Sequence, residues 1–111
     1  MHEMASYETA RDIALALPDA EEGLSYGAPA VKFKNKQLFL RWREDLNAVV
    51  VKTTFDEREG LVAEEPDVYF ITDHYLKYEW VLVNLATVSR KALEELIHRA
   101  YKLVSTKKAK K

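Results

Sequence analysis

DVYFITDHYLKYEWVLVNL, residues 67–85, is the stretch around which the rest of the chain is arranged. Two runs within it, 68–72 and 80–85, are filled with Val, Ile, Tyr, Phe, Trp and Thr, the side chains that suit a pleated, half-buried surface. Between them, residues 73–79 carry His74, Tyr75, Lys77 and Tyr78, an unusual load for an ordinary turn. This connection is either the functional face or the rim of the core. In the second run Val81, Val83 and Leu85 alternate with Trp80, Leu82 and Asn84, so Trp80 need not share a face with the valines.

Upstream of that hairpin, the sequence predicts a helix over 54–65. Thr54 with Glu57 reads as a capping box; Phe55, Leu61 and Val62 supply a short apolar face, and Pro66 ends it. Before it lies a predicted three-strand meander. In 30–34, Val31 and Phe33 alternate with Lys32 and Lys34. Asn35-Lys36 reads as a two-residue hairpin turn. In 37–43, Leu38, Leu40 and Trp42 oppose Phe39, Arg41 and Arg43, and the valine-rich run 48–52 follows a polar turn. The first predicted helix has Ser6 as its N-cap and a stripe of Tyr7, Ala10, Ile13, Ala14 and Leu17, ending at Pro18. Residues 19–29 read as a loop, and Met1 to Ala5 as a loose leader.

Downstream, Ser89 caps the clearest element. Val88 with Leu93 forms a hydrophobic staple, and Leu93, Leu96, Ile97, Ala100, Tyr101 and Val104 follow helical spacing. The order is α-β(3)-α-β(2)-α, an α+β two-layer fold with a five-stranded, mainly antiparallel sheet. Three amphipathic helices suit one face of such a sheet. The other face is left partly open, an invitation to a protein partner, a second copy of the chain, or nucleic acid.

Composition narrows the class. The 111 residues read as one domain, 1–111, with its core at about 6–105 and a basic tail at 106–111. Hydrophobic residues make up 48% and charged ones 32%, which places the chain among soluble globular proteins. No apolar run has the ~18 residues of a membrane helix, and the first residues are too polar for a secretory signal. The expectation is a cytoplasmic protein without membrane partners. The absence of cysteine rules out disulfides, thiolate metal sites and cysteine nucleophiles. Of the 17 basic residues, Lys107, Lys108, Lys110 and Lys111 sit in the tail, leaving 13 against 18 acidic side chains. An acidic body disfavours tight non-specific binding to phosphate backbones.

Three groups of residues carry chemistry in outline. Gly23-Leu24-Ser25-Tyr26-Gly27 matches the G-x-S-x-G nucleophile elbow, but a helix and a proline precede the serine and Pro29 follows. The strand–turn–helix context is missing, and Ser25 is not expected to be a nucleophile. His74 stands without His2 or His98 at ligand spacing, so neither metal nor cofactor is implied, and a hydrogen-bonded structural role is expected for it. Lys32, Lys34, Arg41 and Arg43 form a basic sheet face that reads either as a solvated, edge-protecting surface or as a phosphate track.

The runs ALALPDAEEGLSYGAPAVKFKNKQLFLRWRED, TTFDEREGLVAEEPDVYFITDHYLKYEWVLVNL and LEELIHRAYKLV resemble the MmcQ/YjbR family of small bacterial proteins, over residues 7–104. ALPD, the SYGAPA loop and the DHY…Y segment before VLVNL are the most specific parts. The resemblance implies the same α-β(3)-α-β(2)-α fold, itself similar to secretion-chaperone folds. It also implies the label attached to the family, DNA-binding protein. One branch of the family carries H-x-N-K-x-x-W here. This chain has His74 and Trp80 in those places but Leu76 for the Asn, and looks like the H-Y-x-x-Y branch. No catalytic residue is carried over, and no enzyme is expected.

Three function classes follow. The first is a DNA-binding domain using Lys32, Lys34, Arg41, Arg43, Lys107 and Lys108, weak and salt-dependent, with dissociation constants no tighter than about 10⁻⁶ M at physiological salt. The second is a protein-interaction or chaperone-like module using the open sheet face, a homodimer included. The third is a small-molecule site near Tyr26 and His74. For a ligand or partner surface, the expected residues are Ser25, Tyr26, His74, Tyr75, Tyr78 and Trp80, where the glycine loop meets residues 73–80.

Overall fold

In the computed structural model, which describes residues 5–106, the chain runs α1 (Tyr7–Leu15), β1 (Ala20–Ser25), β2 (Ala28–Phe33), β3 (Leu38–Arg43), β4 (Ala48–Lys52), α2 (Phe55–Glu64), β5 (Tyr69–Phe70), β6 (Trp80–Asn84) and α3 (Arg90–Ser105). Short 3-10 turns occupy Glu44–Leu46 and Asp73–Tyr75. The strands form one sheet in the order β1-β2-β3-β4-β6-β5, every neighbouring pair antiparallel. The leader expected at the N-terminus, apart from Ala5, and the tail lysines Lys107 and Lys108 lie outside the described residues.

The α+β layering stands, with six strands instead of the five expected from sequence. The extra strand is β1, in the segment read as a loop. AEEGLS shows no clean alternation, but as an edge strand it needs none: β2 supplies its ladder from Ala20↔Phe33 to Ser25↔Ala28. The two strands are joined by Tyr26-Gly27, with φ of 52° and 82°, the double left-handed turn that matches strand twist.

All three helices cover one face. Ala10, Ile13 and Ala14 of α1 and Leu93, Leu96, Ile97, Ala100 and Val104 of α3 bury against Val31, Val49, Val51, Val81 and Val83. Ser89 accepts from the Ala92 amide at 3.1 Å, and Val88 and Leu93 are both buried. Ser6 caps α1 in a reciprocal box with Thr9. At α2 the expected box is only half made. Thr54 accepts from the Glu57 amide, but the Glu57 carboxylate instead accepts from Thr53 and pairs with Arg99 of α3. That ties the two helices together.

Register brings two more corrections. Lys32 opposes Leu38 while Val31 opposes Leu40, so Phe39 is an extra residue in β3. The bulge turns Phe39 into the helix-side core beside Leu40 and Trp42, leaving Arg41 and Arg43 on the outer face. The β2–β3 turn is also one residue longer than expected. The Phe33 and Gln37 backbones close it, and Lys36, not Asn35, takes the left-handed conformation. Asn35 instead accepts from the Gln37 amide and donates to the Val104 carbonyl, pinning the turn to α3.

The outer face is not bare. Arg41, Val50, Leu82 and Phe70 form a cross-strand row. A smaller core of Ala48, Val50, Leu82 and Tyr75, flanked by Phe70 and Trp80, grows on it. Tyr75 joins this core because the 73–79 connection folds back over the sheet instead of closing a tight turn.

Candidate functional site

Between that returning connection and the β1–β2 turn lies a groove of about 910 Å³. Leu38, Arg41, Arg43 and Val50 form its floor on the strands. Ser25 and Tyr26 approach from one side, Leu46 from the 3-10 turn, and Thr72, His74, Tyr75, Tyr78 and Trp80 from the other. All six residues expected at a ligand or partner surface therefore meet in one place. Sheet geometry explains this: the β1–β2 turn projects past β3, and the 73–79 connection reaches across β4 towards the same strand.

Each wall has its own support. Tyr26 is 97% exposed and held at positive φ, with the Arg41 guanidinium 5.9 Å from its ring centre. Trp80 is half-buried under Lys52, whose ammonium lies 5.5 Å from a ring of the indole. His74 meets Tyr75 edge-on at 4.8 Å. Its ring makes no hydrogen bond among the described residues, so the structural hydrogen bond expected from sequence is absent there and an aromatic contact takes its place.

The two arginines differ. Arg43 grips Asp45 with both Nε and Nη2, at 2.9 and 2.7 Å, and donates from Nη1 to the Tyr75 hydroxyl at 3.2 Å. The Asp45 contact, then Tyr75, raises the already high guanidinium pKa. In return Arg43 holds the exposed Asp45 carboxyl below the usual range. Arg41 donates from Nε to the Ser25 carbonyl at 3.2 Å and from Nη1 to the Tyr75 hydroxyl at 3.0 Å. It has no carboxylate partner among the described residues.

The remaining basic residues are scattered. Lys34 sits in the turn after β2 and pairs with Asp19 at 3.4 Å. Lys32 lies over Gly23 on the outer face. Lys34 and Arg43 thus face acidic neighbours.

Ser25 corrects one premise and keeps another. A strand, β1, does precede the serine, but β2 follows the turn where an elbow would need a helix. The residue is 8% exposed, and its hydroxyl makes no hydrogen bond among the described residues. Nor do these residues include a group of three His, Cys, Asp or Glu side chains placed to hold a metal ion. Among the described residues no helix is long and apolar enough to cross a membrane.

Sequence reading missed Arg58, which organises the site from behind. It is the buried residue of α2, and its guanidinium donates to four carbonyls of the connection. Nη1 reaches those of Tyr75, Tyr78 and Trp80 at 3.2, 2.8 and 3.2 Å, and Nη2 that of Leu76 at 3.0 Å. A signal for it was present: Phe55, Arg58 and Val62 stand at i, i+3 and i+7, so the arginine occupies the apolar stripe. A charge placed there must find buried acceptors.

Comparison with known proteins finds relatives of the chain. Uncharacterized proteins of Mycobacterium bovis and Mycobacterium tuberculosis are 46% identical to the chain over 48 residues, which is 43% of this chain and 37% of theirs. The chain thus spans well under half the length of the curated relatives it matches. The crystal structure of Deinococcus radiodurans protein DR2400, with a DUF419 domain, superposes with a TM-score of 0.81 at 24% identity, over 97% of this chain and 84% of that one. That likeness shows the fold. The YjbR family model matches residues 15–103, from the end of α1 into the last turn of α3, and the chain belongs to the YjbR family.

Proposed function

We propose that this domain is a non-catalytic binding module whose ligand is a small, ring-bearing molecule held in the groove. The observation that carries the reading is the convergence of Tyr26, His74, Tyr78 and Trp80 around one concavity with a sheet floor. Its volume falls in the ~300–1,000 Å³ range of small-molecule sites, and aromatic walls with a few polar tips are the composition such sites use. Tyr26 adds support. A β-hairpin tip that holds a fully exposed tyrosine in the left-handed region spends backbone strain on presenting that ring. Catalysis has less to draw on, because a nucleophile needs a base within hydrogen-bond reach and that base needs an orienting partner. Neither Ser25 nor His74 has such a partner among the described residues.

The test is a ¹H–¹⁵N NMR titration with a panel of flat-ring fragments. Expected are shifts confined to the amides of residues 25–27, 41–46 and 72–80, with binding weakened about tenfold by Tyr26→Ala, which removes a side chain without core contacts. Shifts on the helix-covered side only, or none at all, would defeat the reading.

A second reading keeps the DNA-binding label. It draws on Lys32 and Arg41, which share the outer face without carboxylate partners among the described residues. With so few phosphate contacts, affinity for duplex is expected no tighter than about 10⁻⁶ M at physiological salt and falls steeply as salt rises. A titration of random duplex at two salt concentrations checks it, and an absence of binding at low salt ends it.

A further inference from the structure

At the floor of the groove one phenol sits between two guanidinium groups. The Tyr75 oxygen lies 3.0 Å from Arg41 Nη1 and 3.2 Å from Arg43 Nη1. A guanidinium can only donate, so the oxygen accepts twice and its own hydrogen remains to be donated. No acceptor for that hydrogen exists among the described residues. Arg41 Nη2 likewise makes no hydrogen bond among them. The charges are unequal: Asp45 makes its ion pair with Arg43, whereas Arg41 has no ion-paired carboxylate among the described residues and feels Asp45 only at longer range. This corner therefore presents an O–H donor, an N–H donor and one guanidinium charge left without an ion pair among these residues. It is held rigid by the strand beneath and by the burial of Tyr75.

We propose that this corner is an oxyanion receptor and that the groove takes an aromatic monocarboxylate. The carboxylate would accept from Arg41 Nη2 and the Tyr75 hydroxyl, with the ring among Tyr26, Tyr78 and Trp80. The assignment rests on the preceding reading of the groove as a site for ring-bearing molecules, and adds the ligand's charge and headgroup. Charge balance selects the headgroup. One free guanidinium matches a monoanion, while a phosphate dianion would keep an uncompensated charge in a partly desolvated corner.

The probes are 2-naphthoate, the neutral 2-naphthamide and 2-naphthyl phosphate, titrated into the full chain and followed by ¹H–¹⁵N NMR. Expected is naphthoate binding in the groove about tenfold tighter than naphthamide. Arg41→Gln and Tyr75→Phe should each erase that difference, and the dispersion of each variant's own ¹H–¹⁵N spectrum shows that it is folded. Lys34→Gln, away from the groove, should change nothing. Equal binding of naphthoate and naphthamide in the groove would overturn the oxyanion receptor and leave the ring site standing. Tighter binding of the naphthyl phosphate would overturn the choice of carboxylate. Failure of every ring probe to reach the groove would overturn the site reading itself.

Discussion

Replacing Arg58 with methionine separates what its charge does from what its bulk does. The side chain is 7% exposed, and its charge is balanced by carbonyl dipoles, with no carboxylate in ion-pair range among the described residues. Nη1 has two hydrogens for the carbonyls of Tyr75, Tyr78 and Trp80, and Nη2 spends one on Leu76, so three hydrogens serve four acceptors. A hydrogen bond to a charged group contributes about 1.5–3 kcal/mol net. Three such bonds would sum to about 4.5–9 kcal/mol, but the desolvation of a buried guanidinium offsets several kcal/mol of that sum. Methionine fills a similar volume and removes both terms, leaving carbonyls that water partly reaches because residues 76–78 are exposed. The expected loss is about 3 kcal/mol, a large share of the ~5–15 kcal/mol that a domain of this size has. Lysine offers three donors at a point, not a fork spanning residues 75–80, and should recover less than half. Urea unfolding followed by tryptophan fluorescence measures the loss, and hydrogen exchange locates it in the amides of 75–80. A methionine variant within about 0.5 kcal/mol of the parent, with unchanged exchange there, would refute the clamp.

Three further outcomes are expected. Burial, and then the Glu22 carboxylate, push the Tyr7 hydroxyl up to about 12. A folded pKa above the unfolded value of about 10 gives stability that is whole below pH 10 and is lost as pH rises through 12. The loss is at most about 2.7 kcal/mol, and nearer 1 after screening of the partly exposed ring, and Tyr7→Phe should remove that step from urea unfolding compared at pH 9.5 and 11.5. Gly27→Ala puts a Cβ on a residue at φ +82°, where no atom would clash; the backbone alone should lose about 1 kcal/mol, read as a lower urea midpoint at constant slope. Ser89→Ala removes the acceptor for the Ala92 amide and should lower stability by about 1 kcal/mol, with less helix signal from α3 on heating.

Much of the layering was legible because the information was local. The stripe from Leu93 to Val104, the Ser6 and Ser89 caps and the valine runs of β4 and β6 each specify an element through side chains a few residues apart. Their order was enough for an α+β fold with helices on one face. Site residues were legible more weakly, as aromatic and ionisable side chains in segments without core periodicity. What the sequence left open are the features whose cause lies in a distant partner. β1 is a strand because β2 offers it a ladder, not because AEEGLS prefers one. Phe39 faces the helices because a bulge shifts the register against β2, and no periodicity in 37–43 announces it. Arg58 stands in the apolar stripe of α2, but its acceptors are decided only where its guanidinium meets carbonyls 17 to 22 residues further along the chain. Tyr75 reaches the arginines of the groove floor because that clamp folds the connection onto Arg41 and Arg43. Side-chain spacing reports which face of an element is buried; only the packing of a connection 32 to 34 residues further along the chain against β3 places a phenol between two guanidinium groups.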